Sequence, residues 1–186
     1  RVYIGGQFVA TTTNPATGAA DEDYLWGAGS WDNGAGGDDY AQLTAEAKSA
    51  ATNDFPLQTT TDNDGFVVHS TRQFSCIVLA VSDAFGPVGA AVVHEWQYWN
   101  GAWTNLPLLN TPPNLGAAVQ DYAVIFGKPL DWALTTAAGP AEGIPVGRYA
   151  IRYRATTAPA GGGADGADAS RVFVGDVLRY PASLVP

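Results

Sequence analysis

The stretch from Val92 to Leu106, Val-Val-His-Glu-Trp-Gln-Tyr-Trp-Asn-Gly-Ala-Trp-Thr-Asn-Leu, narrows the folding choices of this chain more than any other. Asn100-Gly101 stands between two runs of alternating character, and that dipeptide tolerates the positive φ of a tight turn, so the pattern predicts a β-hairpin. Because side chains alternate along a strand, Val92, His94, Trp96 and Tyr98 would share one face and Val93, Glu95, Gln97 and Trp99 the other. Three of the six tryptophans, Trp96, Trp99 and Trp103, lie here. Rings of that size call for burial against other elements or for a ligand.

From Gly65 onward the same strand pattern recurs. Strands are predicted at Phe66 to Ser70, Phe74 to Ser82, Ala90 to Trp99, Ala102 to Leu106, Tyr122 to Phe126, Gly147 to Ala155 and Ser170 to Leu178. Pro, Gly and Asn separate them and no crossover helices intervene, so the expected class is all-β, an antiparallel β-sandwich or jelly roll with long Gly/Pro-rich loops. Tyr40 to Ala51 is predicted as the one short helix, capped by Asp38 or Asp39. Pro107 to Gln120 and Ala133 to Pro145 are expected as long loops, and the Gly/Ala/Asp run Pro159 to Asp168 as a mobile one.

Ahead of this lies a different region. Val2 to Ala10 reads as a strand broken by two glycines, either an edge strand or an arm that adds to a neighbour's sheet. Thr11 to Asp39 is rich in Gly, Thr, Asn and Asp but carries Tyr24, Trp26 and Trp31, too aromatic for a plain linker, and is expected as an ordered surface loop or a short hairpin. The division that follows is an arm and acidic Gly-rich region over 1–39, a sandwich over 40–178 and an extended tail over 179–186.

Composition removes several functions. At 186 residues the chain can bury roughly 70% of its unfolded surface, so a core needs no staples. Cys76 is the only cysteine, which rules out an internal disulfide or a cysteine-built zinc site, and its apolar surroundings predict a buried thiol. The net charge of −9 argues against nucleic acid and against an anionic membrane, and no apolar run is long enough for a membrane-spanning helix. No secretory signal pattern opens the sequence. Ten acidic residues up to Asp64 face only Arg1 and Lys48, while the remainder is nearly balanced.

Few groupings point to chemistry. Asp62-Asn63-Asp64-Gly65 resembles the opening of a calcium loop, but Gln73 stands where the closing Glu belongs, and a turn before Phe66 explains the same residues. His69 and His94 each fall inside a predicted strand without metal-pair spacing, so structural roles are expected and no metal or cofactor is assigned. Gly27-Ala28-Gly29 lacks the strand and helix a phosphate loop requires, and no Gly-x-Ser-x-Gly occurs. A carboxylate pair for glycoside hydrolysis has no positive support. Trp96, Tyr98, Trp99 and Trp103 could stack on a sugar, though alternating rings on a hairpin more often form core.

Arg148 to Arg154 has the cleanest period of two, with Tyr149, Ile151 and Tyr153 on one face and Arg148, Arg152 and Arg154 on the other. Two readings stand. Glu95 forms a cross-strand pair with one of these arginines, or the arginines form a contact patch for an acidic partner.

Taken together, Leu43-Thr44-Ala45-Glu46-Ala47, the run Glu95 to Trp103 followed by Leu106, Leu130-Asp131-Trp132 and the run Gly147 to Arg154 resemble a Trp-rich β-sandwich module of tailed-bacteriophage virion proteins. In that module a W-x-Y-W-N-G-x-x-W hairpin is followed by a P-x-D-W turn and a Y-W-I-R-x-R strand. The likeness spans about Tyr40 to Val177, with Ala150 where a Trp is usual and Leu130 inserted between Pro129 and Asp131. The resemblance implies a non-enzymatic particle protein, first a capsid decoration (cement) protein acting as a trimer on the major capsid protein at the head surface. A head fibre or a tail or baseplate subunit comes next, then a carbohydrate-binding module reading a cell-surface glycan. On this view Val2, Tyr3, Ile4, Phe8, Arg148, Arg152, Arg154, Tyr180 and Leu184 would make partner or oligomer contacts. Trp96, Tyr98, Trp99, Trp103, Trp132 and Tyr149 would build the interior.

Overall fold

The computed structural model describes residues 26–34, 39–49, 55–58, 61–83, 93–111, 119–140, 143–157 and 167–176. Its strands, in chain order, are β1 (Trp26–Asp32), β2 (Asp39–Gln42), β3 (Phe55–Gln58), β4 (Gly65–Ser70), β5 (Cys76–Asp83), β6 (Val93–Trp99), β7 (Trp103–Asn105), β8 (Asp121–Ile125), β9 (Tyr149–Thr157) and β10 (Ala167–Gly175), with one helix, α1 (Thr44–Lys48). The strands form a six-stranded sheet, ordered β2-β1-β4-β9-β6-β7, and a four-stranded sheet, ordered β3-β10-β5-β8. Every pairing is antiparallel. The fold is therefore the all-β sandwich that the alternation predicts.

The core lies between the sheets and draws on both. Phe66, Val68, Trp96, Tyr98, Ile151 and Tyr153 enter from the six-stranded sheet, and Phe55, Leu57, Ile77, Leu79, Tyr122, Val124 and Val172 from the other. Phe66 sits at the centre, stacked on Tyr153 at 5.2 Å and edge-on to Phe55 and Trp96 at 5.9 and 5.7 Å. Such geometry suits the ring quadrupoles and adds to the free energy of burial. Edge strand β8 is continued by Leu109, whose N–H donates to Ile125 O, and by Asn110, whose amide bonds both Ala123 O and Ile125 N.

Several expectations need correction. The predicted helix over Tyr40 to Ala51 shrinks to Thr44–Lys48, begins after Leu43 without a side-chain cap, and leaves Asp39 in β2. Leu43 N–H bonds Ala28 O, so its neighbour strand claims the residues that Ala content alone would make helical. Of the two expectations for Thr11 to Asp39, a surface loop or a short hairpin, the described residues bear out the hairpin: Trp26–Asp32 is its first strand, β2 is its second, and β4 pairs with Trp26–Asp32 on the other side. The sandwich consequently begins within the region assigned to the prelude. Finally, β3 was not foreseen, and Ala167 and Asp168, placed in the mobile run, open β10.

Val2, Tyr3, Ile4, Phe8, Tyr180 and Leu184 lie outside the described residues, as does the predicted terminal strand.

Candidate functional site

The outward face of the six-stranded sheet gathers the chain's most unusual side chains. Arg152 lies opposite Val67 on one side and Gln97 on the other. Its guanidinium is held between two indoles, 4.6 Å from the Trp31 ring centre and 4.5 Å from that of Trp103. A desolvated cation over an aromatic face is a favourable contact. Nε and Nη2 of Arg152 donate to Gln97 Oε1 at 3.1 and 2.6 Å, and Gln97 Nε2 in turn donates to Glu95 Oε2 at 3.3 Å. That same carboxylate oxygen receives Nε and Nη2 of Arg154 at 3.1 and 2.8 Å. A relay Arg152–Gln97–Glu95–Arg154 thus runs from the middle of the sheet to its rim.

A cover closes this face. Trp31, Val67, Ile144 and Ala150 form a second buried cluster, with Tyr40, Trp99 and Trp103 packed against it. The loop after Ala133 supplies the lid: a Cβ on Gly139 would stand 3.0 Å from Trp99 Cζ2, and one on Gly143 would stand 3.5 Å from Tyr40 O. Trp31 and Trp103 meet edge to face at 5.8 Å, Trp99 and Trp103 at 5.5 Å and 72°. Rings at that angle offer no shared plane to a sugar.

At the far side of the sheet, two glycines of β1 make room for rings. Gly27 and Gly29 face outward, and a Cβ there would lie 2.6 Å from His69 Cε1 and 2.5 Å from Tyr40 Cε2. Absence of those side chains lets Tyr40 reach over β1 to His69, whose Nε2 lies 3.1 Å from the Tyr40 hydroxyl. His69 is buried, and burial first, then the charges of Arg148 and Lys48, bring its imidazole down to about 4. Burial raises the Tyr40 phenol. The role of Gly27-Ala28-Gly29 is packing.

The hairpin tip and the Leu130-Asp131-Trp132 turn are brought together. Asp131 accepts a hydrogen bond from Tyr98 OH and one from Asn100 Nδ2, each at 2.9 Å. Those bonds, Asn100 first, hold its carboxyl below the usual range. Trp132 is buried against Phe74, Phe126 and Tyr149, and its indole N–H donates to Ala150 O. The connection is three residues long, since Trp99 pairs with Trp103, and Gly101 alone takes the positive φ, at 104°.

Several predicted site residues change character in this light. Arg152, 5% exposed, is interior and offers no surface for a partner; its guanidinium is consumed by Trp31, Trp103 and Gln97. Arg154 forms the cross-strand pair with Glu95, the first of the two readings. Arg148 is half-buried, its backbone N–H and O bonded to Thr135. Trp96, Tyr98 and Trp132 are core, Tyr149 packs against them, and Trp99 and Trp103 belong to the outer cluster. Asp64 Oδ1 accepts Asn33 N–H and Asn63 N–H bonds Ala155 O with Asn63 at φ 70°, so Asp62 to Gly65 is a turn leading into β4. Among the described residues no three His, Cys, Asp or Glu side chains group as metal ligands. The buried Cys76 thiol is pushed up to about 11, by burial and then by Asp176.

Trp31, Tyr40 and Gln97 are the members that the sequence reading missed. The signal for the first two was the alternation Trp26-Gly27-Ala28-Gly29-Ser30-Trp31, in which both glycines fall on one face. What the whole arrangement offers chemically is rigid polar packing beneath a lid. Comparison with family models, with curated proteins and with solved structures finds no match to this chain.

Proposed function

We propose that this chain is a non-enzymatic structural subunit of a tailed-bacteriophage particle, a decoration protein that binds the outside of the major capsid lattice as a trimer. The observation that carries the reading is where the chain's reactive side chains have gone. Both histidines, Arg152, Arg154 and the tryptophans are engaged in packing or pairing on the six-stranded sheet and its core, and Cys76 is buried in β5 of the other sheet. Among the exposed residues, several large aliphatic side chains stand on loops. Leu130 is fully exposed on a turn fixed by Asp131, and Leu134 and Val146 are 44% and 62% exposed on two segments joined through Thr135. Exposed apolar residues on braced loops suit protein contacts. The resemblance of the hairpin, turn and arginine strand to virion modules supports the same class.

The mechanism is additive. Weak contacts from the apolar tips and from strand addition by Val2 to Val9 gain strength when several copies engage one lattice together. The test is imaging or labelling of particles assembled with the full chain and with a chain lacking residues 1 to 10. The expected result is head-surface density with the full chain and none with the shortened one, whose sandwich stays folded. Retained binding by the shortened chain removes the arm; density on the tail removes the decoration role.

A further inference from the structure

Two Asn-Gly dipeptides occur in this chain, Asn33-Gly34 and Asn100-Gly101. Such pairs invite a known backbone reaction. The Gly nitrogen attacks the Asn side-chain carbonyl carbon, an N–Cγ bond forms, the Cγ–Nδ2 bond breaks, and ammonia leaves with the proton from the Gly N–H. Water then opens the cyclic imide to aspartate or isoaspartate. Glycine matters because it leaves the attacking nitrogen unscreened.

The two sites are held very differently. Asn33 is exposed, and among the described residues its side chain has no hydrogen-bond partner. Asn100 is pinned by all of its side-chain polar atoms. Its Nδ2 donates to Asp131 Oδ2 at 2.9 Å, and its Oδ1 accepts Ala102 N–H at 3.3 Å and Thr104 O–H at 3.1 Å. Yet nothing lies within 4 Å of where a Gly101 Cβ would be, so the turn itself is open to the chemistry.

We propose that Asn100 is a latent modification site, an amide that the clasp with Asp131 and Thr104 holds away from the Gly101 nitrogen and whose conversion to a carboxylate releases the Leu130 turn. Any turn of the amide out of its present position breaks these three bonds, which raises the barrier to attack by the Gly101 nitrogen. Once converted, position 100 sets a carboxylate against that of Asp131 where an amide donor stood. Like charges at contact repel, and the clasp becomes a wedge. Tyr98, whose hydroxyl also rests on Asp131, loses a fixed partner.

The full chain is incubated, folded, at mildly alkaline pH, and amide-to-acid conversion at each Asn is followed by peptide mapping with mass spectrometry. Asn33 should convert first, with Asn100 slower by a factor of about ten or more, the worth of one charge-assisted bond. Asp131→Ala should bring Asn100 to within a few-fold of the rate of Asn33, the Thr104 and Ala102 bonds remaining. Equal rates in the unaltered chain, or an unchanged ratio in Asp131→Ala with intact near-UV dichroism, overturns the proposal. Where Asp131→Ala does not fold, Thr104→Val decides: it keeps Asp131 and removes one donor, so a rise of about threefold supports the clasp and no rise refutes it.

Discussion

The two faces of the six-stranded sheet are both buried, but by different means. Inward, Phe66, Trp96, Tyr98, Ile151 and Tyr153 meet the opposing sheet in an apolar layer. Outward, Trp31, Val67 and Ala150 share their space with Arg152 and Gln97, under Ile144 from a loop. The inner layer gains mainly from water removed from hydrocarbon. The outer one must also hold a guanidinium, an amide and an imidazole. Arg152 and Gln97 pair with each other and His69 Nε2 meets the Tyr40 hydroxyl, while His69 Nδ1 and Trp103 Nε1 are buried without a partner among the described residues. The lesson is that burial alone does not identify a core; the manner in which polar atoms are matched separates the layers.

The sharpest break between the layers comes from Phe66→Ala. It removes a ring touching Phe55, Trp96 and Tyr153 in a fully buried site, and the expected loss is about 3–5 kcal/mol in denaturant unfolding. A loss below that of any outer-layer truncation would mean that the inner layer is not the dominant one. Next in size is the pH response of His69. Its folded pKa, about 4, lies below the ordinary value of 6.5, so the neutral ring stabilises the fold fully above pH 6.5, and that contribution is lost as pH falls toward 4. The full span is at most about 3 kcal/mol. Measured between pH 7 and 4, the stability difference between the chain and His69→Gln should narrow with acid; His94, whose imidazole burial also lowers, needs His94→Gln as a control.

Arg152→Ala tests the outer layer directly. It opens a gap between Trp31 and Trp103 and leaves Gln97 Oε1 without its two donors, and the expected cost is about 2–3 kcal/mol. Arg152→Met fills the gap without the charge and should recover about half of that. If the two variants are equally unstable, the hydrogen bonds and not the indole contacts hold the layer.

The difference between the layers also explains what could be read in advance. Tyr149, Ile151 and Tyr153 alternate with Arg148, Arg152 and Arg154, and the inner half of that pattern translates into core without further information. The outer half does not. Arginines at alternate positions look the same whether water or a lid covers them, and the lid residue Ile144 sits in a stretch that carries no strand or helix period. Trp31 was lost because a Gly-rich context outweighed its alternation, and Tyr40 because four residues of β2 precede an Ala-rich run. Conversely, a pairing of Glu95 with one of three arginines is legible as one of two readings, because a single acidic residue on an apolar strand leaves few partners; that Arg154 takes it is set by the register of β6 on β9. The union of Tyr98, Asn100 and Asp131 was visible only as motifs in order, since nothing local states that a turn more than thirty residues on will fold back onto the hairpin.

The smallest effect concerns the rim of the outer layer, where Arg154 and Glu95 are 28% and 35% exposed. A pair so open to solvent is worth about 0.2–1 kcal/mol, and Glu95→Gln, which keeps an acceptor oxygen, should cost no more than the lower part of that range. The more informative quantity is coupling. Glu95 Oε2 holds Gln97 Nε2, and this fixes which end of the Gln97 amide faces Arg152. If the relay is real, a double-mutant cycle of Glu95→Gln with Arg152→Met shows an interaction energy of about 0.5 kcal/mol or more although the two side chains do not touch. Additivity within error would mean that Gln97 is oriented by Arg152 alone, and the polar chain on this face would reduce to two separate pairs.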